Sequence, residues 1–172
     1  MMKNFRTLKF HEAVLEATDQ MLASDKSVKL MGLGVTDPLG IFGTTKDLYK
    51  KYPTQVFETP TAESGTMGIA IGSALVGARP IITHQRVEFA LLAIEQITNQ
   101  AAKWHYMTGG KSSVPLFIRL IVGRGWGQGP QHSQSLESWF AHIPGLKVVA
   151  PSNPYDAKGL SIAAIRDNNP VV

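Results

Sequence analysis

One carboxylate stands where a strand pattern gives way to a helix pattern. Glu63 follows the short strand signal Gln55-Val56-Phe57 and Pro60, and it opens a helix of almost wholly apolar or small residues. A helix of that composition is expected to be buried on every side. Because ligands of open α/β sheets bind beyond the carboxyl ends of the strands, Glu63 is a candidate for an acid delivered into a dry site. The alternative is that Glu63 caps the helix N-terminus, where acidic residues are favoured, and the local pattern favours neither reading.

His132 is the second candidate. It follows the glycine-rich segment 123–130 and precedes a predicted helix over 133–142, for which Ser133 is the expected N-cap. A histidine beside flexible glycines and a helix N-terminus is suited to meeting an anionic substrate. A histidine in a loop is also commonly an ordinary surface residue.

Predicted strands and helices alternate along the whole chain. The strands are near-continuous apolar runs rich in β-branched residues, which indicates a parallel sheet covered by helices on both faces, a three-layer α/β fold. The predicted strands cover 28–35, 55–57, 81–84, 114–122 and 146–150, with another beginning at 171–172, and 78–80 is a predicted turn. The predicted helices cover 8–22, 46–51, the segment after Glu63, 89–107, 133–142 and 154–167.

Composition narrows the class of protein. The 172 residues are 44% hydrophobic and 17% charged, which is typical of one globular domain spanning 1–172. The net charge of +4 is dispersed, so nucleic acid is not an expected partner. No run of apolar residues is long enough to span a membrane, and the absence of cysteine excludes disulfides and thiolate metal sites.

Two glycine motifs fail as nucleotide-binding signatures. Gly123-Arg-Gly125 lacks the third glycine of a dinucleotide fingerprint, and no helix opens at the required place. Gly110-Lys111-Ser112 resembles the end of a phosphate-binding loop, but it follows a predicted helix and His105 stands where the first glycine is needed.

A series of motifs, taken together and in order, carries a family resemblance. The sequence resembles the pyrimidine-binding domain (transketolase central region) in the beta subunit of 2-oxo acid dehydrogenase decarboxylases, within the thiamine-diphosphate-dependent superfamily. The resemblance extends from about Leu8 to the end of the chain. The motifs are Thr59-Pro60-x-x-Glu63, Arg79-Pro80-Ile81, Gln96-Ile-x-Asn99, Tyr106-Met-x-Gly-Gly110, Gln131-His-Ser-Gln134, Pro144-Gly-Leu-Lys147, Asp156-Ala-Lys-Gly-Leu160 and Ile165-Arg-Asp-Asn-Asn-Pro170.

The resemblance assigns roles to four residues. In the family, the glutamate that matches Glu63 hydrogen-bonds N1′ of the cofactor's aminopyrimidine and favours the tautomer that removes the thiazolium proton. Phe89 falls where an aromatic side chain packs on the pyrimidine ring, and Gln85 falls at a neighbouring ring-contacting position. His132 matches a histidine that faces the substrate and the incoming lipoyl group.

The resemblance also implies a second ion and a partner chain. Some members bind potassium through main-chain oxygens, and the matching residues here are Leu116, Ala164, Ile165, Asp167 and Asn169; an ordinary helix end before Pro170 accounts for that segment equally well. The family holds magnesium and the diphosphate with a Gly-Asp-Gly segment of the alpha subunit, and this sequence contains no Gly-Asp-Gly. The family's C-terminal domain is also expected to be absent from 1–172.

Three positions depart from the family pattern. Leu33-Gly34 replaces the usual acidic residue after the first strand, and Thr83 replaces the acid after the Arg-Pro-Ile strand. Glu95 stands where the family has aspartate. The first two departures leave the substrate and the partner subunit in question, whereas Glu63 is retained.

The resulting expectation is one half of a shared active site. The chain is expected to act on a 2-oxo acid within a heterotetramer, with a separate alpha subunit, a second beta copy and a lipoyl acyltransferase as partners. The expected location is the cytoplasm, or the mitochondrial matrix in a eukaryote. Two alternatives stay open: ketol transfer between sugar phosphates of the transketolase type, and an inactive structural or regulatory subunit that retains only the fold.

Overall fold

A four-stranded parallel sheet forms the centre of the molecule. In a computed structural model, which describes residues 6–172, the strands lie in the order β2-β1-β3-β4. Their bounds are Val28–Gly32 for β1, Val56–Glu58 for β2, Arg79–His84 for β3 and Phe117–Leu120 for β4. The predicted parallel sheet is therefore confirmed.

The strand register brings chemically useful residues to one edge of the sheet. Gly32 at the end of β1 pairs with Glu58 on one side and Thr83 on the other, and His84 at the end of β3 pairs with Leu120. Because all the strands are parallel, their carboxyl ends and the loops that follow them share this edge. This is the edge at which α/β sheets bind ligands.

Helical segments cover both faces of the sheet. The α-helices are α1 (Phe10–Ser24), α2 (Leu48–Lys51), α3 (Glu63–Leu75), α4 (Trp104–Met107), α5 (Glu137–Ala141) and α6 (Pro154–Arg166). One hydrophobic core contains Ile81 with residues of α1 and α6, and the other contains Ile82 with residues of α3 and the helical turns after β3. Neighbouring residues of β3 thus point into opposite cores, as the pleat requires.

The prediction of one long α-helix over 89–107 is wrong, because the helix type changes along this segment. The chain forms a 3₁₀ helix at Val87–Ala93, a π-helix at Gln96–Ala101 and then α4. The apolar pattern indicates which side chains face the core, but the winding depends on packing. The π turn, closed by a bond from Ala102 N–H to Ile97 O, keeps both Ile97 and Ala101 buried.

The helix predicted over 133–142 starts later than expected. Only Glu137–Ala141 is helical, and Ser133 does not act as the cap. The Glu88 carboxylate accepts the hydrogen bond from Gln134 N–H at 2.8 Å, and the Ser133 hydroxyl has no hydrogen-bond partner among the described residues. This contact holds the segment before Glu137 away from a helical path.

Three predicted strand boundaries also need correction. The strand expected over 114–122 is reduced to β4, and the one expected over 146–150 makes a single bridge, from Lys147 to Val171. Arg79-Pro80 belongs to β3 instead of a turn, because Arg79 N–H bonds to Ser27 O and continues the ladder with β1.

Helix α3 is buried on one face only, contrary to the expectation from its composition. Its inner face packs in the core through Met67, Ala70, Ile71 and Ala74. Its outer face, defined here as Gly65, Gly68, Ile69 and Gly72 with Val76 just beyond the helix, faces solvent. A Cβ atom built on any of these three glycines would meet nothing within 4 Å, so the described chain leaves this face uncovered.

No helix in the described part of the chain has both the length and the apolar character needed to cross a membrane.

Candidate active site

Glu63 is the first residue of α3, directly above the carboxyl edge of the sheet. The segment Thr59-Pro60 leads from β2 into this position, and Ala62 O accepts the first helical bond, from Thr66 N–H at 2.9 Å. No side-chain cap bond forms at this helix end, and the Glu63 carboxylate accepts no hydrogen bond from the described residues. Glu63 therefore makes no capping hydrogen bond, although its place in the first turn is one that the helix dipole favours for an acidic residue.

A small pocket joins Glu63 to two of the other predicted site residues. Its cavity volume is about 20 Å³, and it lies between the first turn of α3 and the segment that follows β3. The residues around it are Gly32, Leu33, Thr59, Pro60, Glu63, Thr66, Ile82, Thr83, His84, Gln85 and Phe89. Glu63, Gln85 and Phe89 are thus brought together, although Glu63 is partly exposed and the dry environment expected for it is not formed by the described residues alone.

Gln85 is fixed by the loop that follows β1. Its Nε2 donates to Leu33 O at 3.1 Å, and a Cβ atom at Gly34 would lie only 2.7 Å from that same nitrogen. Gly34 also has a φ of +80°, which side chains other than glycine rarely adopt. The absence of a side chain at Gly34 therefore allows Gln85 to approach the loop.

Glu58 holds the other side of that loop. Its two oxygens accept hydrogen bonds from Gly34 N–H, from Thr36 N–H at 3.0 Å and from Thr36 Oγ1 at 2.8 Å. A carboxylate from the end of β2 thus secures the loop after β1. Sequence reasoning missed this role, although the position of Glu58 at the end of a strand was a usable signal.

His132 lies beside the pocket, against Phe89. The two rings meet edge to face with centroids 5.6 Å apart, and His132 Nδ1 is enclosed without a hydrogen-bond partner among the described residues. A Cβ atom at Gly123 would lie 2.4 Å from His132 O, so the backbone segments 123 and 132 can touch only because residue 123 is glycine. His132 ends a short 3₁₀ turn, and the nearest α-helix begins at Glu137.

Glu88 ties the His132 segment to the pocket wall. It directly precedes Phe89, is 9% exposed, and accepts from Gln134 N–H through one oxygen. Its second oxygen is enclosed without a partner among residues 6–172. The sequence signal for this role of Glu88 was an acidic residue inside the otherwise apolar segment Val87–Ala93.

Aromatic side chains hold the glycine-rich loop over the same edge. The Arg86 guanidinium lies 4.5 Å from the Trp126 ring centroid and 5.1 Å from that of Phe42, and it donates to Gln128 Oε1. Trp126 and Gln128 belong to the loop, whereas Phe42 belongs to the turn Ile41–Gly43. Cation–π contacts of this kind link segments that share no backbone hydrogen bonds.

His84, which the sequence reasoning did not single out, is the other titratable residue of the pocket. It ends β3, is 6% exposed, and its Nε2 is enclosed with no hydrogen-bond partner in the described chain. Burial lowers the pKa of His84 to about 4, and the Glu63 carboxylate opposes this effect weakly. The imidazole is therefore neutral near neutral pH.

Arg119, beside Thr83, is a buried arginine with incomplete pairing. Arg119 Nε donates to Thr83 Oγ1 at 2.7 Å, but Nη1 and Nη2 are enclosed without partners among the described residues. Burial lowers the pKa of Arg119 to about 10. Thr83 and Leu33, two of the positions at which the sequence was expected to depart from the family pattern, both line the pocket.

The five residues predicted to hold potassium gather where α6 ends beside the start of β4. Arg79 Nη1 donates to Ile165 O at 3.2 Å and to Asp167 O at 3.0 Å, so these two carbonyls converge on one point. Leu116 O accepts from Val171 N–H, and Ala164 O accepts from Asp167 N–H. A carbonyl oxygen has a second lone pair, so these bonds leave capacity for a cation.

Comparison with known proteins gives one family model and a set of relatives. Residues 6–172 match the model described as "Transketolase, pyrimidine binding domain". The chain is similar to the beta subunit of acetoin:2,6-dichlorophenolindophenol oxidoreductase from Cupriavidus necator, with 45% identity over 97% of this chain and 52% of that subunit. It is 48% identical to the beta subunit of the pyruvate dehydrogenase E1 component from Gracilaria tenuistipitata var. liui, over 94% of this chain and 50% of the relative.

The mitochondrial pyruvate dehydrogenase E1 beta subunit of Bos taurus is 44% identical over 94% of this chain and 45% of its own length. The chain therefore spans about half the length of the curated relatives it matches. Among solved structures, a chain titled "Split gene transketolase, inactive beta4 tetramer" superimposes with a TM-score of 0.76 at 20% identity, covering 96% of this chain and 50% of the other. That likeness supports the fold.

Proposed function

This chain belongs to the transketolase pyrimidine-binding domain family, and on that premise we propose that it is the pyrimidine-binding half of a thiamine-diphosphate-dependent 2-oxo acid dehydrogenase beta subunit. The observation that carries the proposal is the convergence of Glu63, Gln85 and Phe89 on one pocket at the carboxyl edge of the sheet. The names of the relatives support the decarboxylating, acyl-transferring class.

The pocket residues fit an aromatic, nitrogen-containing ring. When bound, thiamine diphosphate supplies the carbanion that attacks the keto carbon and accepts the electrons of decarboxylation. Glu63, whose oxygens have no partner among the described residues, would share a proton with the ring nitrogen N1′. Phe89 would pack on the ring, and the Gln85 amide, fixed by Leu33 O, would contact its edge.

His132 would act on the substrate side. Its contact with Phe89 places the imidazole next to the pocket, and its backbone is fixed by Gly123 and by the Glu88–Gln134 bond. From there His132 would bind the substrate carboxylate and then face the lipoyl group that receives the acyl group. A histidine suits both tasks because it can donate a hydrogen bond in either protonation state.

Completion of the site requires a partner chain. The described residues contain no group of three or more histidine and acidic side chains suited to a metal ion, so magnesium and the diphosphate would be held by an alpha subunit. Glu63 is partly exposed, as expected of a half-site that becomes dry only on assembly. Residues 1–172 would act as one pyrimidine-binding domain.

The outer face of α3 would pair with the same face of a second beta copy in a heterotetramer. Its exposed Ile69 and Val76 are apolar, and its three glycines allow another backbone to approach closely. An exposed apolar patch is characteristic of an interaction surface, and two-fold pairing of identical faces is the commonest arrangement. A lipoyl acyltransferase component would bind the assembled enzyme.

Potassium would bind at the end of α6, through main-chain oxygens of Leu116, Ala164, Ile165, Asp167 and Asn169. Two of these carbonyls, Ile165 O and Asp167 O, accept hydrogen bonds from the cationic Arg79 Nη1, so potassium would have to displace that guanidinium to bind them. The proposed location of the protein is the cytoplasm, or the mitochondrial matrix in a eukaryotic cell.

The deciding experiment reconstitutes the chain with the alpha partner encoded beside its gene. Thiamine diphosphate and magnesium are titrated calorimetrically into the chain alone and into the mixture, and decarboxylation is screened across 2-oxo acids. Binding is expected only in the mixture. Binding to the chain alone would contradict the shared site, and no binding in either sample would favour a structural subunit.

Glu63→Gln is expected to lower decarboxylation in the reconstituted enzyme by about 10²-fold or more, because the variant cannot exchange a proton with N1′. Glu12→Gln is the matched control: it makes the same change in charge, and glutamine preserves the capping box at the start of α1. Unchanged activity of Glu63→Gln would rule out the proposed role of Glu63.

A further inference from the structure

Two titratable side chains share the pocket, and only one of them has a role in the proposed function. Among the eleven residues around the pocket, Glu63 and His84 are the only ones with ionisable side chains. His84 comes from the end of β3, and Glu63 comes from the first turn of α3. The two residues line the same pocket, and the charge of Glu63 acts on the pKa of His84.

We propose that His84 is a positioning residue for Glu63, and that its neutral imidazole donates a hydrogen bond from Nε2 to the second carboxylate oxygen of Glu63 in the assembled site. This inference rests on the proposed function, in which the first oxygen of Glu63 serves the pyrimidine nitrogen. A carboxylate with two oriented partners cannot rotate away from the ring. The hydrogen bond would also favour the ionised form of Glu63.

The surroundings of His84 explain why it stays neutral and available. Its Nε2 is enclosed without a partner among residues 6–172, so the imidazole makes no competing bond through that nitrogen. Burial holds the pKa of His84 at about 4, which prevents it from becoming a second charge in the site. A neutral imidazole carries one N–H, which is what a single bond to a carboxylate requires.

The other charged groups near His84 have different partners. Glu88, which follows β3, accepts from Gln134 N–H. Arg119 on β4 donates to Thr83, whose side chain lies on the opposite face of β3 from His84. Arg86 donates to Gln85 O and to Gln128. Glu63 is the one whose charge acts on the pKa of His84.

A first test uses the chain alone and does not depend on cofactor binding. The imidazole nitrogen signals of the five histidines are followed by NMR against pH, and His84 is assigned with the His84→Phe variant. His84 is expected to remain neutral down to about pH 5. Glu63→Gln should lower its pKa further, because the attracting charge is lost, whereas Glu12→Gln should leave it unchanged. A His84 signal that titrates near pH 6.5, or that ignores Glu63→Gln, overturns the proposal.

A second test uses the reconstituted enzyme and two variants at the same position. His84→Gln places an amide donor near the imidazole Nε2, whereas His84→Phe keeps an aromatic ring and removes every polar atom. His84→Phe is expected to lower kcat about tenfold or more and to shift the acidic limb of its pH profile upward by about one unit, because Glu63 loses its donor. His84→Gln should restore most of kcat and the original limb.

The outcomes separate this inference from the proposed function. If the wild-type reconstituted enzyme binds no thiamine diphosphate, the proposed function fails. The effect of Glu63→Gln on the pKa of His84 is measured on the chain alone, so that result remains an independent test. If the wild-type enzyme is active but both variants lose activity equally with unshifted pH profiles, His84 is only a packing residue and the inference is wrong.

Discussion

The two faces of α3 differ: one is buried in the core of the chain, and the other is left uncovered by the described residues. The inner face is closed: Met67 and Ala70 are fully buried, and Thr66 on the same side lines the pocket. The outer face carries glycines with no neighbours and an Ile69 side chain that is 61% exposed. One helix thus combines a core face with an exposed apolar face, which is the face proposed to pair with a second copy, and Glu63 lies at its first turn.

The composition of α3 reflects both tasks at once. A helix that packs only in a monomer core needs one apolar stripe, about 100° wide or more, and polar residues elsewhere. α3 has small or apolar residues on both faces, so its outer face is costly unless something covers it. Its acidic residue lies where the two surfaces meet, which suits a carboxylate that must be both anchored to a core and presented to a partner.

The first prediction tests the closed face. Met67→Ala should lower the free energy of unfolding of the chain by about 2–5 kcal/mol, because a fully buried side chain leaves a cavity. Ile69→Ala, two residues along the same helix, should change it by no more than about 0.5 kcal/mol. Urea unfolding of the two variants under conditions that keep the chain monomeric measures the difference; equal losses would mean that both faces are buried.

The second prediction tests whether solvent reaches the His84 imidazole in the pocket. Because burial depresses the pKa of His84 from 6.5 to about 4, the unfolded chain takes up a proton between these values and the folded chain does not. Stability should therefore fall as the pH drops from about 6.5 to 4, by roughly 3 kcal/mol from this group.

His84→Phe removes the contribution of His84 protonation to stability. The unfolding free energy of this variant should therefore vary less with pH between about 6.5 and 4. Urea unfolding at pH 7, 5.5 and 4.5 for the wild type and His84→Phe measures the two slopes. The other titratable groups contribute equally to both proteins, so the difference between the slopes isolates His84. Parallel slopes would show that solvent reaches the imidazole in the folded state.

The sequence was sufficient to predict the sheet because its strands lie in mostly apolar runs separated by turn residues. The helical spacing of apolar residues predicted α1, and the small and apolar composition of the segment after Glu63 predicted α3. Sequence reasoning failed over 89–107 and 133–142, where the backbone follows tertiary contacts: a π turn that keeps Ile97 and Ala101 in the core, and the bond from Gln134 N–H to Glu88. Periodicity contains no information about such contacts.

The residues of the candidate site also fall into two groups: those that motif positions identify and those that only packing identifies. Glu63, Gln85, Phe89 and His132 could be named from motif positions, and the structure places three of them around one pocket and the fourth against Phe89. His84 could not be named so, because its interest lies in its burial and in an unpartnered nitrogen, which only packing determines. The uncovered face of α3 was missed because composition alone cannot distinguish a helix buried by its own chain from one buried by a partner.

The smallest expected effect is also the most direct test of what the outer face is for. Gly68→Ala adds one methyl group where nothing lies within 4 Å, in the interior of a helix, so it should stabilise the monomer by up to about 1 kcal/mol. If the outer face pairs with a second copy, the same methyl group should hold the two helices apart and weaken self-association, measured by analytical ultracentrifugation. A variant that is more stable as a monomer and associates more weakly as a dimer would indicate that the glycine is retained for an interface.

Ala70→Gly, on the inner face of the same helix, is the matched control. It should destabilise the monomer and leave association at a given concentration of folded chain unchanged. If Gly68→Ala stabilises the chain and leaves association intact, the dimer forms elsewhere and this face is covered by a different partner.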